Sequence, residues 1–190
     1  NSDVTIENIT LKDYFYDSGN DKGYGFRFAN NFLTNIVAEE PGRSPYIRNC
    51  TVITKGTTTS ASDPRGFASG DAGKGALVDG AVVDTTSRSA SMLFHAVTFI
   101  TPGVDGLTIK NGVRVEWLNS FTYFANRGIY IVQGSGRTDA NGATVYGGEL
   151  RTIASANVYG NKGIEADGAN CLAYMVNQNF AYIGSGKNVT

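Results

Sequence analysis

The chain has 190 residues, with 24 glycines, 4 prolines, 11% aromatic and 17% charged residues, and a formal net charge of −1. That length sets a prior of one domain, and the composition favours turns and β-formers over the Glu/Lys/Leu/Ala mixture of helical proteins. No basic face is visible to recommend nucleic acid, two cysteines make no disulfide framework, and no apolar run approaches the roughly 18 residues of a membrane helix.

The chain opens at Asn-Ser-Asp and stops at Asn-Val-Thr, with neither an initiator Met nor a signal peptide, and reads as a piece of a longer protein. Its first pattern is Ile6-Glu7-Asn8-Ile9-Thr10-Leu11, which recurs as Ile47-Arg48-Asn49-Cys50-Thr51-Val52. Looser copies begin at Val78, Ile109, Val145 and Phe180, so successive starts lie 41, 31, 31, 36 and 35 residues apart. The template is an apolar residue, any residue, Asn, Asp or Gly, then alternating apolar residues. It predicts a strand that turns a corner at the Asn or Gly and points its apolar side chains into one core. Cys50 and Cys171 are expected to be buried thiols, packed as small hydrophobes.

Two segments break this rhythm and are read as lateral insertions. Residues 12–44 carry Tyr14, Phe15, Tyr16, Tyr24, Phe26, Phe28 and Phe32. Tyr24, Phe26 and Phe28 alternate, and an exposed aromatic row there is the candidate surface for sugar rings or for a subunit interface, against the plainer reading of local packing. Residues 55–75 are rich in Thr, Ser, Gly and Ala, have little to bury, and are expected to form a mobile loop that can be deleted without loss of the fold.

The clearest repeat comes later. Ser120-Phe-Thr-Tyr-Phe-Ala-Asn-Arg-Gly-Ile129 returns 35 residues on as Ser155-Ala-Asn-Val-Tyr-Gly-Asn-Lys-Gly-Ile164. Asn126 and Gly128, with Asn161 and Gly163, read as structural turns, glycine supplying the positive φ and the following isoleucine restarting a strand. A fixed period marks units that stack on one another, so Phe124 should lie over Tyr159 and Asn126 over Asn161. The fold expected is all-β: a right-handed parallel β-helix with coils of about 31 to 41 residues. Its open coil ends, for which no cap is visible, point to contacts with other chains.

Catalytic chemistry finds thin support. Glu165 and Asp167 alternate on one face, and a glycosidase on such a scaffold needs two acids about 5 to 9.5 Å apart. Stacking at the repeat period places Tyr130 beside Glu165 and Val132 beside Asp167. It also places Glu116 near Arg151 and Glu149 near Arg114 as ion pairs between coils. The default for Glu165 and Asp167 is a solvated surface acid. His95, the one histidine, has no motif around it. No Cys/His cluster or Asp ladder points to a metal. Gly184-Ser-Gly-Lys187 fails as a phosphate loop because Asn188 and Ala181 stand where Ser/Thr and Gly are needed. No cofactor is implied.

Three strings carry a resemblance: Glu116-Trp-Leu-Asn-Ser-Phe-Thr-Tyr-Phe-Ala-Asn-Arg-Gly-Ile129, the copy running from Ser155 to Gly168, and Asn179-Phe-Ala-Tyr-Ile-Gly184. They resemble a motif in large virion structural proteins of T4-like cyanophages and related marine tailed phages. The resemblance covers about residues 113–187. It implies a long, pectin-lyase-like β-helical protein of the tail fibre, spike or baseplate, located in the virion. Its partners would be other virion proteins and host surface polysaccharide, and phage fibres of this kind are commonly trimers. The family brings no catalytic residues, and the paired Asp and Gly-His-Gly strings of polygalacturonases are absent. The expectation is a non-catalytic structural or adhesion component, with a polysaccharide-degrading tailspike as the alternative.

Overall fold

The computed structural model describes residues 5–28, 46–56, 72–80, 91–138, 142–145, 147–184 and 187–190. Among them there is no helix. Three parallel sheets make up the body. The first, in spatial order, holds Thr5–Glu7 (β1), Tyr46–Arg48 (β4), Ser91–His95 (β7), Arg114–Leu118 (β10), Glu149–Ile153 (β15) and Leu172–Val176 (β18). The second holds Thr10–Lys12 (β2), Thr51–Ile53 (β5), Thr98–Ile100 (β8), Phe121–Tyr123 (β11), Ala156–Val158 (β16) and Asn179–Ala181 (β19). The third holds Tyr24–Phe28 (β3), Lys74–Asp79 (β6), Asp105–Lys110 (β9), Arg127–Val132 (β12) and Lys162–Asp167 (β17). Arg137–Thr138 (β13) and Thr144–Val145 (β14) form a separate antiparallel pair.

The chain visits the three sheets in rotation, so that three successive strands make one tier. Residues 188–190 extend the third sheet to a sixth tier, through a parallel bridge of Val189 with Ile164 and a 2.8 Å bond from Ala166 N–H to Thr190 C=O. One vertical column of the first sheet runs Ile6, Ile47, Phe94, Trp117, Thr152 and Met175, one residue per tier. The coil length expected from the sequence is corrected by this column. The tiers from Phe94 to Trp117 and from Thr152 to Met175 are shorter than any interval of the sequence pattern, and the tier from Ile47 to Phe94 is longer than all of them. A bare tier is therefore short, and the longer tiers carry additional residues between their strands. The sequence pattern joins different sheets into one series: the copies at Ile6 and Ile47 lie in the first sheet, those at Val78 and Ile109 stack in the third, and Phe180 lies in the second.

Alternation explains the core. In β10 the burial pattern turns Val115 and Trp117 inward, where Trp117 packs 5.5 Å from the Phe94 ring and 5.1 Å from Phe99. The third sheet adds the column Ala76, Leu107, Ile129 and Ile164. A large apolar side chain fully removed from water contributes about 1.5–3 kcal/mol. Cys50 is buried in this core, whereas Cys171 is only half-buried, which corrects its reading as a core thiol.

Every corner from the first sheet to the second contains one residue in the left-handed region: Asn8, Asn49, Ala96, Asn119, Ala154 and Asn177, with φ of 46–61°. Asparagine tolerates this conformation better than other side chains. Behind two of these corners sit the repeated serines. Ser155 Oγ accepts from Ser120 N–H at 3.2 Å, and Ser120 Oγ accepts from Val97 N–H at 3.0 Å, so buried backbone donors are satisfied tier by tier.

The insertion boundaries also shift. Residues 24–28 are not part of a lateral insertion, because β3 occupies a place in the third sheet, and residues 74–75 already belong to β6. What remains of the 12–44 insertion beyond residue 28, and 57–71 of the polar loop, lie outside the described residues.

Candidate functional site

The corners from the second sheet to the third divide the molecule. In the second and third tiers positive φ is taken by Gly56 and Gly103. In the last three tiers the residue that leaves the second sheet is itself left-handed and aromatic: Phe124, Tyr159 and Tyr182, with φ of 60°, 55° and 55°. Backbone bonds hold the three in register: Phe124 N–H donates to Val158 C=O at 3.0 Å and Tyr159 N–H to Ala181 C=O at 2.9 Å.

The result is a ridge of rings. Phe124 and Tyr159 lie 5.6 Å apart with planes 15° from parallel, and Tyr159 and Tyr182 lie 4.7 Å apart at 6°. Their exposures are 48%, 50% and 77%. Tyr123 leans against the lower end at 6.3 Å from Phe124. Beside the ridge runs a polar row of Asn126 and Asn161, each two residues past its ring, and Lys187, five past Tyr182. Asn161 Nδ2 donates to Asn126 Oδ1 at 3.0 Å, and Lys187 Nζ donates to Asn161 Oδ1 at 3.4 Å. Rings beside amides and an ammonium form a surface that can meet both apolar and hydroxylated faces of a ligand.

The turns fall elsewhere than the Asn-x-Gly strings suggest. Asn126 and Asn161 lie in the corners and stack, but Gly128 and Gly163 are strand residues of β12 and β17 without positive φ. The turn falls earlier, on the aromatics. Gly128 is required by crowding instead: a Cβ there would stand 2.2 Å from Asn157 Oδ1 and 2.6 Å from Thr122 Oγ1.

The aromatic row predicted for sugar contact is corrected as well. Phe26 and Phe28 are each 6% exposed and pack into the core, Phe26 with its ring 6.5 Å from that of Phe94. They face inward because β3 is a sheet strand. Tyr24 is half-buried, donates its hydroxyl to Asp21 at 2.8 Å and lies near Lys74 Nζ. Burial first, then Asp21, pushes its hydroxyl well above the ordinary tyrosine range.

Glu165 and Asp167 do stack beside Tyr130 and Val132 as the period requires. Each has a partner. Glu165 pairs with Lys162 and, at 3.6 Å, with Arg127, while Asp167 accepts the Tyr130 hydroxyl at 2.9 Å. Arg127 also forks onto Asp105, with both distances at 2.6 Å, and lies 3.5 Å over the Tyr130 ring. The registers Arg114–Glu149 and Glu116–Arg151 hold too, but the ion pairs form within strands rather than between tiers. Arg151 meets Glu149 at 2.6 Å and Arg114 meets Glu116 at 3.6 Å. His95 stacks on Tyr46 and shares a 3.0 Å hydrogen bond with its hydroxyl.

Among the described residues no group of three or more His, Cys, Asp or Glu side chains is placed to hold a metal ion, and no helix is long and apolar enough to cross a membrane. The ridge is visible in the sequence as the pairing of Phe124 with Tyr159, but not as a surface. Its third ring, Tyr182, follows Tyr159 after a shorter interval than separates Tyr159 from Phe124, which hides it from a search at fixed period. Compared with known proteins, the chain matches no family model, no curated protein and no solved structure.

Proposed function

We propose that the chain is a structural or adhesion component of a tailed-phage virion, built as a right-handed parallel β-helix in the tail fibre, spike or baseplate. The observation that carries this reading is the stacking of residues 120–129 on 155–164, ring on ring and Asn on Asn, within the stretch that resembles phage structural proteins. A scaffold of three in-register sheets is stiff along its axis and displays side chains at fixed spacing, which suits a particle protein that presents a surface to a host. Glu165 and Asp167 serve in an ion pair with Arg127 and a hydrogen bond with Tyr130 that tie the fourth and fifth tiers together, which favours the structural reading over a glycosidase. Other virion proteins are the partners, and a homo-oligomer, a trimer by analogy with phage fibres, is the assembly.

Peptide mass spectrometry and antibody labelling of purified particles test the proposal. The chain is expected in the tail, and absence from intact particles overturns the reading. Release of reducing ends from host polysaccharide, lost in Glu165→Gln or Asp167→Asn, would replace it with the tailspike enzyme.

A further inference from the structure

We propose that the ridge Phe124–Tyr159–Tyr182, with Asn126, Asn161 and Lys187 beside it, binds an anionic, uronate-bearing polysaccharide laid along the stacking direction. This rests on the adhesion reading above and assigns it a site and a ligand class.

A corner calls for one left-handed residue, but not for an aromatic one. The corners between the first and second sheets have the same φ and carry Asn four times and Ala twice. A bulky ring in this conformation is an uncommon choice at a steric cost, and such outliers concentrate where function requires them. Here the choice recurs in three successive tiers. It places large rings half or more in water, where burial gives no full return.

The flank narrows the ligand. Tyr182, at the end of the ring stack and 77% exposed, offers the most open ring surface, which suits the C–H face of a pyranose ring. The exposed amides of Asn126 and Asn161 suit hydroxyls. Lys187 has no carboxylate among the described residues; its one side-chain partner is the amide oxygen of Asn161 at 3.4 Å. An ammonium so placed is complemented by a sugar carboxylate. The other cations at these corners are committed, Arg127 to Asp105 and Glu165, and Lys162 to Glu165. A linear polymer matches a ridge whose contacts repeat at the strand spacing of about 4.8 Å. Single-stranded nucleic acid fits less well. Its backbone needs a continuous positive groove, whereas Arg127 and Lys162 beside the ridge are paired with carboxylates and the chain's formal net charge is −1.

The test is affinity electrophoresis in native gels cast with alginate or hyaluronate, with dextran as the neutral control and oligothymidylate as the competing class. Tyr159→Asn and Tyr182→Asn remove rings while suiting the left-handed backbone, and Lys187→Gln removes the charge alone. The protein is expected to be retarded by at least one uronate polymer and not by dextran. Each Tyr→Asn change is expected to weaken retardation roughly three- to ten-fold, the size of one aromatic contact, with the thermal midpoint held or raised. Lys187→Gln is expected to abolish the salt sensitivity. The proposal is overturned by no retardation in either uronate gel, by retention of full binding in both Tyr→Asn variants, by retardation with oligothymidylate alone, or by loss of thermal stability without loss of binding, which would make the ridge a packing device. A failure here leaves the virion assignment standing, because particle mass spectrometry reads that independently.

Discussion

Arg127 and Asp105 stand 22 residues apart in the chain and one tier apart in the third sheet, joined by two parallel N–H···O bonds of 2.6 Å. The Asp105 side chain is 8% exposed and that of Arg127 25%. Burial works against the guanidinium charge, but the Asp105 hydrogen bonds and charge outweigh it and hold Arg127 above its ordinary value. Removing the guanidinium would strand a nearly buried carboxylate, and that desolvation dominates the outcome. Arg127→Ala is expected to cost about 2–3 kcal/mol, read as a fall in the urea midpoint at unchanged slope. Arg127→Lys loses the fork but keeps the charge, and is expected to recover part of the loss.

Alkaline pH offers a second test. Tyr14 is pushed well above the ordinary tyrosine range by burial, slightly offset by a backbone hydrogen bond, and its hydroxyl donates to Lys74 C=O. Tyr24 is pushed up by burial and by Asp21. The unfolded chain ionises these hydroxyls near pH 10 while the folded chain holds its protons, so above that pH the native state binds more protons than the unfolded one and stability falls. The thermal midpoint is expected to stay level up to about pH 10 and to drop beyond it. Tyr14→Phe should flatten part of that drop, at the cost of one hydrogen bond at neutral pH. An equally steep drop in Tyr14→Phe and Tyr24→Phe would assign the alkaline transition to other groups.

Glycine is used here for two different reasons, and substitution separates them. At Gly128 a Cβ would press on Asn157 Oδ1, Thr122 Oγ1 and, at 2.7 Å, Gly163 C=O, all within the body of the stack. Gly128→Ala is expected to destabilise by about 1–3 kcal/mol through overpacking. At Gly142 nothing lies within 4 Å, but φ is +77°. Gly142→Ala is therefore expected to cost about 1 kcal/mol through backbone strain alone. Equal effects at the two sites in chemical denaturation would refute the distinction.

Gly128 also marks what the sequence could and could not convey. The repeat that contains it announced the stacking of Phe124 on Tyr159 and of Asn126 on Asn161, because identical local strings in a stacked fold meet their own copies. The same strings misplaced the turn. Asn-Arg-Gly and Asn-Lys-Gly have turn chemistry, yet the chain bends two residues earlier, on an aromatic that no propensity assigns to a left-handed corner. Phe26 and Phe28 escaped the pattern for a related reason. Alternation shows that a strand has two faces but not which face meets the core, and β3 sits in a tier lengthened by segments on both sides. The tier from Ile47 to Phe94 is about twice as long as the one from Phe94 to Trp117, so fixed spacing finds the one regular pair and loses the rest.

The corner series carries the last prediction. Asn8, Asn49, Asn119 and Asn177 fill four of the six left-handed positions between the first and second sheets, and Ala96 and Ala154, with φ of 54° and 52°, fill the other two. The sequence template marked only Asn8 and Asn49 of these six corners, its later copies starting on other sheets, and alanine at two of the other four has no sequence signature for a corner. Alanine in this region sets its Cβ against the following carbonyl, a clash that asparagine offsets with local hydrogen bonds. Asn49 already donates to Asn8 Oδ1 at 2.7 Å, which shows that the position can hold a hydrogen-bonded amide ladder. Ala154→Asn, at an exposed corner between Asn119 and Asn177, is expected to stabilise the protein by about 0.5–1 kcal/mol. Ala96→Asn should add a similar amount by continuing the ladder above Asn49. The reverse change, Asn49→Ala, should destabilise by at least as much, because it also breaks the bond to Asn8. Thermal midpoints of the three variants decide the matter. A rise for the two asparagine variants with a fall for Asn49→Ala supports the corner argument, whereas no change at either alanine would show that these corners relax to accept a methyl group and that left-handed φ at this seam costs the fold nothing.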